Sequence, residues 1–438
     1  MDTSTALRTD RYELTMLEAA IARGTADTPC MFEAFGRRLP GARRYGVVAG
    51  IGRVLERIRD FRFDDAELEW LSSHEIVNPS TIEWLADYRF TGDVWGYADG
   101  EAYFPESPIL IVESSFGEGV LLETLILSIL NYDSAVAAAA TRMVTAASGR
   151  PLAEMGSRRT HEDAAIAAAR AAYIAGFDAT SNLEAGRTWG IPTMGTAAHA
   201  FTLLHENEEE AFRAQIASSG TGTTLLVDTY DIAQGVETAI RVAGPDLGAI
   251  RLDSGDLPTL VVDVRRQLDR LGAHATKITV TSDLDEYAIA TLQSAPVDSY
   301  GVGTSLVTGS GSPAAGLVYK LVARQGDGGS WVPVAKASAG KRSVGGRKFA
   351  TRVRDENGIA RQEKVYLGLG PEDAQAIPAT ERPLLHPLIA AGEINQQHIG
   401  SDGTHAARAH HADVRAELPA DAFRLGRGDP ALPTTFVE

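Results

Sequence analysis

From residue 155 to residue 300, short apolar runs near Met155, Phe177, Ile191, Leu225, Ile250, Ile278 and Tyr300 alternate with helical patterns such as His161–Ala175, Asp231–Ala243 and Leu257–Leu271. Strands separated by helices pair in parallel rather than as hairpins, and this many units predict an irregular TIM-like α/β barrel. Ligands bind at the carboxyl ends of such strands, so function is to be sought in the residues just after each run. Those pieces are Gly156-Ser157-Arg158-Arg159, Thr180-Ser181-Asn182, Gly195-Thr196, Asp228-Thr229, Asp253-Ser254-Gly255-Asp256, Ser282-Asp283 and Gly301-Val302-Gly303-Thr304.

A chain of 438 residues exceeds what one hydrophobic core usually organises, so the barrel is expected to have companions. Residues 1–117 read as an α+β domain. Thr9–Ala22 has helical spacing, Met31–Arg38 and Tyr45–Val48 are strand-like, Phe61–Tyr88 is helical, and β-rich patterning returns over Thr91–Val112. From Glu118 the stretch LLETLILSILNYDSAVAAAATRM is apolar all round, which requires a helix buried between layers. The barrel domain is placed at 118–325. After Val322 the composition turns to Gly, Ser, Lys and Arg, with basic clusters at Lys341-Arg342 and Arg347-Lys348. Residues 326–438 read as a partly β C-terminal region that packs on the first domain.

The net charge of −17 argues against a nucleic-acid or membrane-surface binder, which needs a basic face. Any anionic ligand must then be held by a local cluster. The opening MDTSTALRTD lacks the apolar core of a signal peptide, and the apolar window Leu121–Leu130 is far shorter than the roughly 20 residues of a membrane span. A single cysteine, Cys30, excludes an internal disulfide and a thiolate zinc site and fits a reducing compartment, so a soluble cytoplasmic protein is expected. His405, His410 and His411 lack the carboxylate or thiolate partners of a closed metal site.

Four strand ends carry the chemistry. After Ile191–Met194 the turn Gly195-Thr196 leads to His199 at the expected start of a helix. Alone, His199 is better read as a packing or capping residue; its neighbours elsewhere in the chain reverse that reading. Arg251 and Asp253 are two apart on one strand and therefore share a face. GVGTSLVT, residues 301–308, is a glycine-rich turn whose backbone N–H groups suit a phosphate, and Arg158-Arg159 suits a phosphate or carboxylate. Together with the Ser282-Asp283 strand end they offer Arg158, Arg251 and a glycine turn to anions, Asp253 and Asp283 to Mg²⁺ or hydroxyls, and a histidine. That set suits the chemistry of a phosphorylated sugar.

The fragments TDRYELTM, FEAFGRRLP, LLETLILSILN, MGSRR, TSNLEAG, GTAAHAF, RLDSGDL and GVGTSLVT…GLVYKLV, in this order, resemble the nicotinate phosphoribosyltransferase family. The resemblance implies a type II phosphoribosyltransferase, in which nicotinate and 5-phosphoribosyl 1-diphosphate become nicotinate mononucleotide and diphosphate in NAD synthesis. It also implies Mg²⁺, coupling to ATP hydrolysis and a homodimer with shared active sites. Carried over by position, Tyr12 reaches the nicotinate ring from the neighbouring subunit, and Thr196 and Arg251 contact substrate. His199 matches a transiently phosphorylated histidine, and Arg158 faces the nicotinate carboxylate or the diphosphate. Gly301, Gly303, Thr304 and Thr308 belong to the loop for the 5-phosphate. In one departure, Met155 stands where the family usually places an aromatic before Gly-x-Arg-Arg, so sulfur–aromatic contact has to replace ring stacking. The competing readings are a nicotinamide- or quinolinate-type phosphoribosyltransferase and a phosphosugar-binding barrel without catalysis.

Overall fold

The computed structural model describes residues 4–336, 343–370, 373 and 377–438. The Lys341-Arg342 cluster lies outside the described residues. The chain divides into two compact units, residues 1–138 with 312–438, and residues 139–311. Residues 118–138 and 312–325 thus fall in the first unit, whereas the boundaries drawn from the sequence lie at 117 and 325. The reason is hydrogen bonding: Leu317–Gln325 runs antiparallel to Pro29–Gly36 and completes that strand's sheet.

In the first unit the central sheet has seven strands in the order 331–333, 317–325, 29–36, 110–115, 93–96, 386–390 and 393–394. Seven of the eight residues of Pro29–Gly36 are buried, as expected for a central strand covered on both faces. On one face Phe32 stacks on Tyr319 with centroids 5.1 Å apart, and burying each such ring contributes about 2–3 kcal/mol. A four-stranded sheet is built from C-terminal residues, with Lys348–Arg354 and Ala360–Leu367 at its centre. Buried charges are paired here as their desolvation demands: Arg352 lies 3.0 Å from Glu363 and 3.6 Å from Glu101, and Glu101 also receives Arg382 at 2.8 Å and His410 at 3.0 Å. His411 bonds the Gly100 carbonyl at 2.8 Å, and burial pushes its imidazole down to about 4. His410 and His411 are thus held in this packing by Glu101 and the Gly100 carbonyl.

Phe116–Ala147 is long and apolar enough to cross a membrane by length and composition, which corrects the reading drawn from Leu121–Leu130 alone. Of its most apolar window, 67% is buried inside the protein, as a core helix should be. Glu13 caps this region: its Oε1 accepts from the Thr124 N–H at 2.9 Å and hydroxyl at 2.6 Å, while Oε2 is buried without a partner. Burial pushes the Glu13 carboxyl from 4.5 up to about 7. A raised folded-state value means that Glu13 contributes stability that is full below about pH 4.5 and is lost as pH rises through 7. Glu13→Gln is therefore expected to flatten the Tm profile between pH 4.5 and 7. A variant whose Tm falls across that window as steeply as the parent's would refute this origin.

The second unit carries the predicted rhythm. Six strands, all parallel, lie in the order 179–180, 152–154, 299–302, 277–280, 249–252 and 224–226, with helices such as Glu162–Ile174, Ile232–Ala243 and Leu257–Arg270 between them. Asp231 caps its helix by accepting the Gln234 N–H at 2.8 Å. The seventh expected strand, at Ile191, is reduced to a single bridge between Thr180 and Thr193. Pro192 lacks the N–H that a longer ladder needs. On the strand Ala249–Leu252, Ile250 and Leu252 are fully buried, whereas Arg251 points to the opposite face.

Candidate active site

Two adjoining cavities lie against this sheet within the second unit, one at the carboxyl ends of its strands and one along its inner face that reaches the amino ends at Leu152, Gly248 and Lys277. A polar one of about 250 Å³ is lined by Met155, Arg158, Arg159, Arg251, Asp253, Thr281, Ser282, Asp283, Gly301, Gly303 and Thr304. Its neighbour of about 600 Å³ shares Met155 and Arg251 and continues along the inner face of the sheet past Met194, Thr196, Ala153, Ala249 and Tyr300. Arg158, Thr196, Arg251, Asp253, Asp283, Gly301, Gly303 and Thr304, each singled out from sequence, are thereby brought to one end of one sheet.

Arg251 is held from three sides. Its Nε donates to the Thr281 hydroxyl at 2.9 Å, Nη1 to Thr196 Oγ1 at 3.4 Å, and Nη2 to Asp253 Oδ1 at 3.2 Å. Thr281 also donates to Asp253, so guanidinium, hydroxyl and carboxylate form a closed triangle with little freedom. The next residue, Ser282, adopts φ 107°, a region that costs a non-glycine residue about 1–3 kcal/mol and recurs at functional sites.

His199 begins the helix His199–Leu204, as its position after Gly195-Thr196 predicts. Its Nδ1 lies 3.2 Å from Thr229 Oγ1, and its Nε2 sits 3.8 Å from Asp228 Oδ1 and 3.9 Å from Asp253 Oδ2. Asp228 has a fully buried side chain. One of its oxygens accepts from the Asp253 N–H at 2.9 Å and the Ser254 hydroxyl at 2.7 Å, and the other, facing the imidazole, is buried without a hydrogen bond. An unpaired buried oxygen costs about 1–3 kcal/mol, so it is poised for a donor on Nε2. Behind it Glu208 is buried at the start of the helix Glu208–Ser219, and burial, then the Asp228 carboxylate, push it up to about 7.

Asp228, Thr229, Thr281 and Glu208 were not chosen from sequence. Asp228-Thr229 was visible as a strand end, but nothing in the sequence paired it with His199, which is thirty residues away. Two chosen residues stand apart. Thr308 does not line the polar cavity; its hydroxyl turns back onto the Thr304 carbonyl at 2.8 Å. Tyr12 belongs to the first unit, on the first turn of Arg11–Arg23, where it is 46% exposed. The glycines of the 301–304 turn also have a packing cause: a Cβ on Gly301 would lie 2.6 Å from Met155 Sδ, so Met155 fills the space above the turn. Among the described residues no three His, Cys, Asp or Glu side chains form a metal cluster. Asp253 and Asp283 line one cavity, which suits a cation held mainly by a phosphorylated ligand.

Three arginines, two aspartates and a tight glycine turn at the end of a parallel sheet define a site for an anionic, hydroxyl-bearing ligand, with a flanked histidine beside it. Residues 7–131 match the family described as nicotinate phosphoribosyltransferase (NAPRTase) N-terminal domain. Over 98% of its length the chain is 55% identical to nicotinate phosphoribosyltransferase pncB1 of Mycobacterium tuberculosis, covering 95% of that protein. It is 38% identical to nicotinate phosphoribosyltransferase of Bacillus subtilis, over 88% of this chain and 80% of the relative. The crystal structure of human nicotinic acid phosphoribosyltransferase superposes with a TM-score of 0.83 at 26% identity, covering 98% of this chain and 97% of that one. The chain belongs to the nicotinate phosphoribosyltransferase family.

Proposed function

We propose that this protein is an enzyme of NAD biosynthesis that joins nicotinate to 5-phosphoribosyl 1-diphosphate, releasing diphosphate and forming nicotinate mononucleotide. The observation that carries this reading is the meeting of a charged cavity and a less polar one at Met155 and Arg251. The charged cavity suits the sugar phosphates, and the other suits a flat ring. We further infer that the parallel sheet is the core of an irregular barrel.

In the reaction the bond between ribose C1 and the diphosphate oxygen breaks with its electrons leaving on diphosphate, and the nicotinate ring nitrogen donates the new pair to C1. Positive charge develops on the sugar and negative charge on the leaving group. Arg158 and Arg159 are placed for the leaving diphosphate. Asp253, fixed by Arg251 and Thr281, is placed for the ribose hydroxyls or the cationic sugar. No base is needed, because the attacking nitrogen carries a free pair; position is what the site supplies. Asp253 and Asp283 would hold Mg²⁺, which neutralises diphosphate charge when bound. We assign His199 as the residue that ATP phosphorylates, since Asp228, Asp253 and Thr229 surround its ring.

We also propose a homodimer. Leu183, Leu203, Leu204 and Tyr230, all beside strand ends that carry site residues, are 77%, 62%, 78% and 60% exposed. Such side chains around a site call for a cover, and a second copy would bring Tyr12 to the ring. Tyr12→Ala should then raise the KM for nicotinate by about fivefold, equivalent to about 1 kcal/mol of lost ring contact, and leave that for the sugar diphosphate unchanged. Equal effects on both would make Tyr12 only a helix-start residue. A buried lone thiol, Cys30, fits the reducing cytoplasm.

Diphosphate release measured with nicotinate, nicotinamide and quinolinate, with and without ATP, tests the whole reading. Nicotinate should be consumed and ATP should stimulate. Sugar-phosphate binding without release from any base would leave a non-catalytic binding protein instead.

A further inference from the structure

Glu154 ends the strand Leu152–Glu154 with its side chain fully buried. One carboxylate oxygen accepts the Gly156 N–H, and the other accepts the Thr180 hydroxyl at 2.5 Å. Its main-chain carbonyl accepts the Ser181 N–H at 2.8 Å. The Asn182 N–H donates to Thr180 Oγ1 at 2.9 Å, and its amide donates to Ser157 Oγ at 3.0 Å. A single carboxylate therefore ties together the turns after two neighbouring strands.

The far side of the Gly156 turn is equally constrained. A Cβ on Gly156 would lie 2.2 Å from Val307 Cγ1, 3.0 Å from Glu154 Oε1 and 3.2 Å from the Gly303 carbonyl. The turn is thus clamped between the Glu154 carboxylate and the glycine turn at 301–304. What it presents to the polar cavity is Arg158 and Arg159, both exposed side chains with no comparable clamp of their own. Among the described residues Glu154 has no ion pair. Burial pushes its carboxyl above the usual range despite the two hydrogen bonds. An apolar residue would avoid that desolvation cost but would leave the Gly156 N–H and the Thr180 hydroxyl without this acceptor, so what the carboxylate supplies is the hold on the two turns.

We propose that Glu154 is a positioning residue for phosphoribosyl transfer: its buried carboxylate fixes the Gly156–Arg159 turn so that the arginines meet the diphosphate of the substrate. The proposal rests on the reading of Arg158 as a diphosphate-binding residue. Small displacements of a charged group in such a site are costly, since about 1 Å can cost a hundredfold.

The test is a double-mutant cycle on the full-length protein, read as the Kd for 5-phosphoribosyl 1-diphosphate and as its KM, with Tm and circular dichroism recorded on each variant. Glu154→Ala should raise the Kd about tenfold in the parent and by less than about twofold in an Arg158→Ala/Arg159→Ala background, because the clamp then has nothing to aim. Glu154→Gln keeps an acceptor for the Gly156 N–H and should bring the Kd back to within about threefold of the parent. Equal losses from Glu154→Ala in both backgrounds would reduce Glu154 to a structural residue and overturn the proposal. An unchanged Kd in Arg158→Ala alone would remove the reading beneath it and overturn both. Should Glu154→Ala fail to fold, Thr180→Val removes one donor from the intact carboxylate and is read through the same cycle.

Discussion

Arg251→Ala is expected to lower kcat/KM by about two to three orders of magnitude, or about 3–4 kcal/mol, with circular dichroism and Tm close to those of the parent. The size reflects what the guanidinium touches. It orders Thr196, Thr281 and Asp253 at once, and it lies where both cavities meet. Removing it frees the Asp253 carboxylate to shift, so the sugar loses a fixed negative partner together with a fixed positive one. The fold should survive because the strand's packing face is carried by Ile250 and Leu252, which point away. Arg251→Lys separates charge from shape: lysine keeps the charge but cannot bond Thr281 and Asp253 in one plane, so most of the loss should remain. Near-parental turnover in a folded Arg251→Ala protein would remove Arg251 from the reaction.

What was legible in the sequence was the part governed by local rules. Arg251 and Asp253 share a face because strand side chains alternate, and the helical spacing over Asp231–Ala243 marks a helix; the structure has both, with a helix over Ile232–Ala243. What was not legible depends on contacts across the sheet. Asp228 lies twenty-five residues before Asp253, yet it bonds the Asp253 N–H and faces His199; only the parallel register of 224–226 on 249–252 creates that meeting. Glu154 carries no motif that distinguishes it from a surface glutamate, and its role emerges only with the Gly156 turn folded over it. Thr308 belongs to a recognisable glycine-rich fragment, yet at the end of a four-residue helix its hydroxyl bonds the Thr304 carbonyl and it does not line the polar cavity. The unit boundaries likewise reflect strand pairing between residues 29–36 and 317–325, far apart in the chain.

His199 offers the second large effect. Incubation with γ-labelled ATP should leave an acid-labile, base-stable phosphate on the protein, because a phosphoramidate on imidazole hydrolyses in acid and a phosphoserine does not. His205 is the internal control. It lies six residues on, and its Nδ1 is taken up by the Phe201 carbonyl at 2.8 Å, away from the aspartates. His205→Ala should keep the label, and His199→Asn should lose it entirely together with ATP stimulation. Asp228→Asn extends the argument. Its uncharged side chain can still accept from the Asp253 N–H and the Ser254 hydroxyl, but it no longer sets a carboxylate oxygen 3.8 Å from His199 Nε2. If that oxygen orients the ring and stabilises the positive charge that develops on it as it attacks phosphorus, labelling in Asp228→Asn should slow by about tenfold or more, while diphosphate release without ATP persists, because the histidine powers the reaction and does not form the glycosidic bond. Label retained in His199→Asn would make His199 a structural residue, and the two aspartates around it would then belong to the sugar alone.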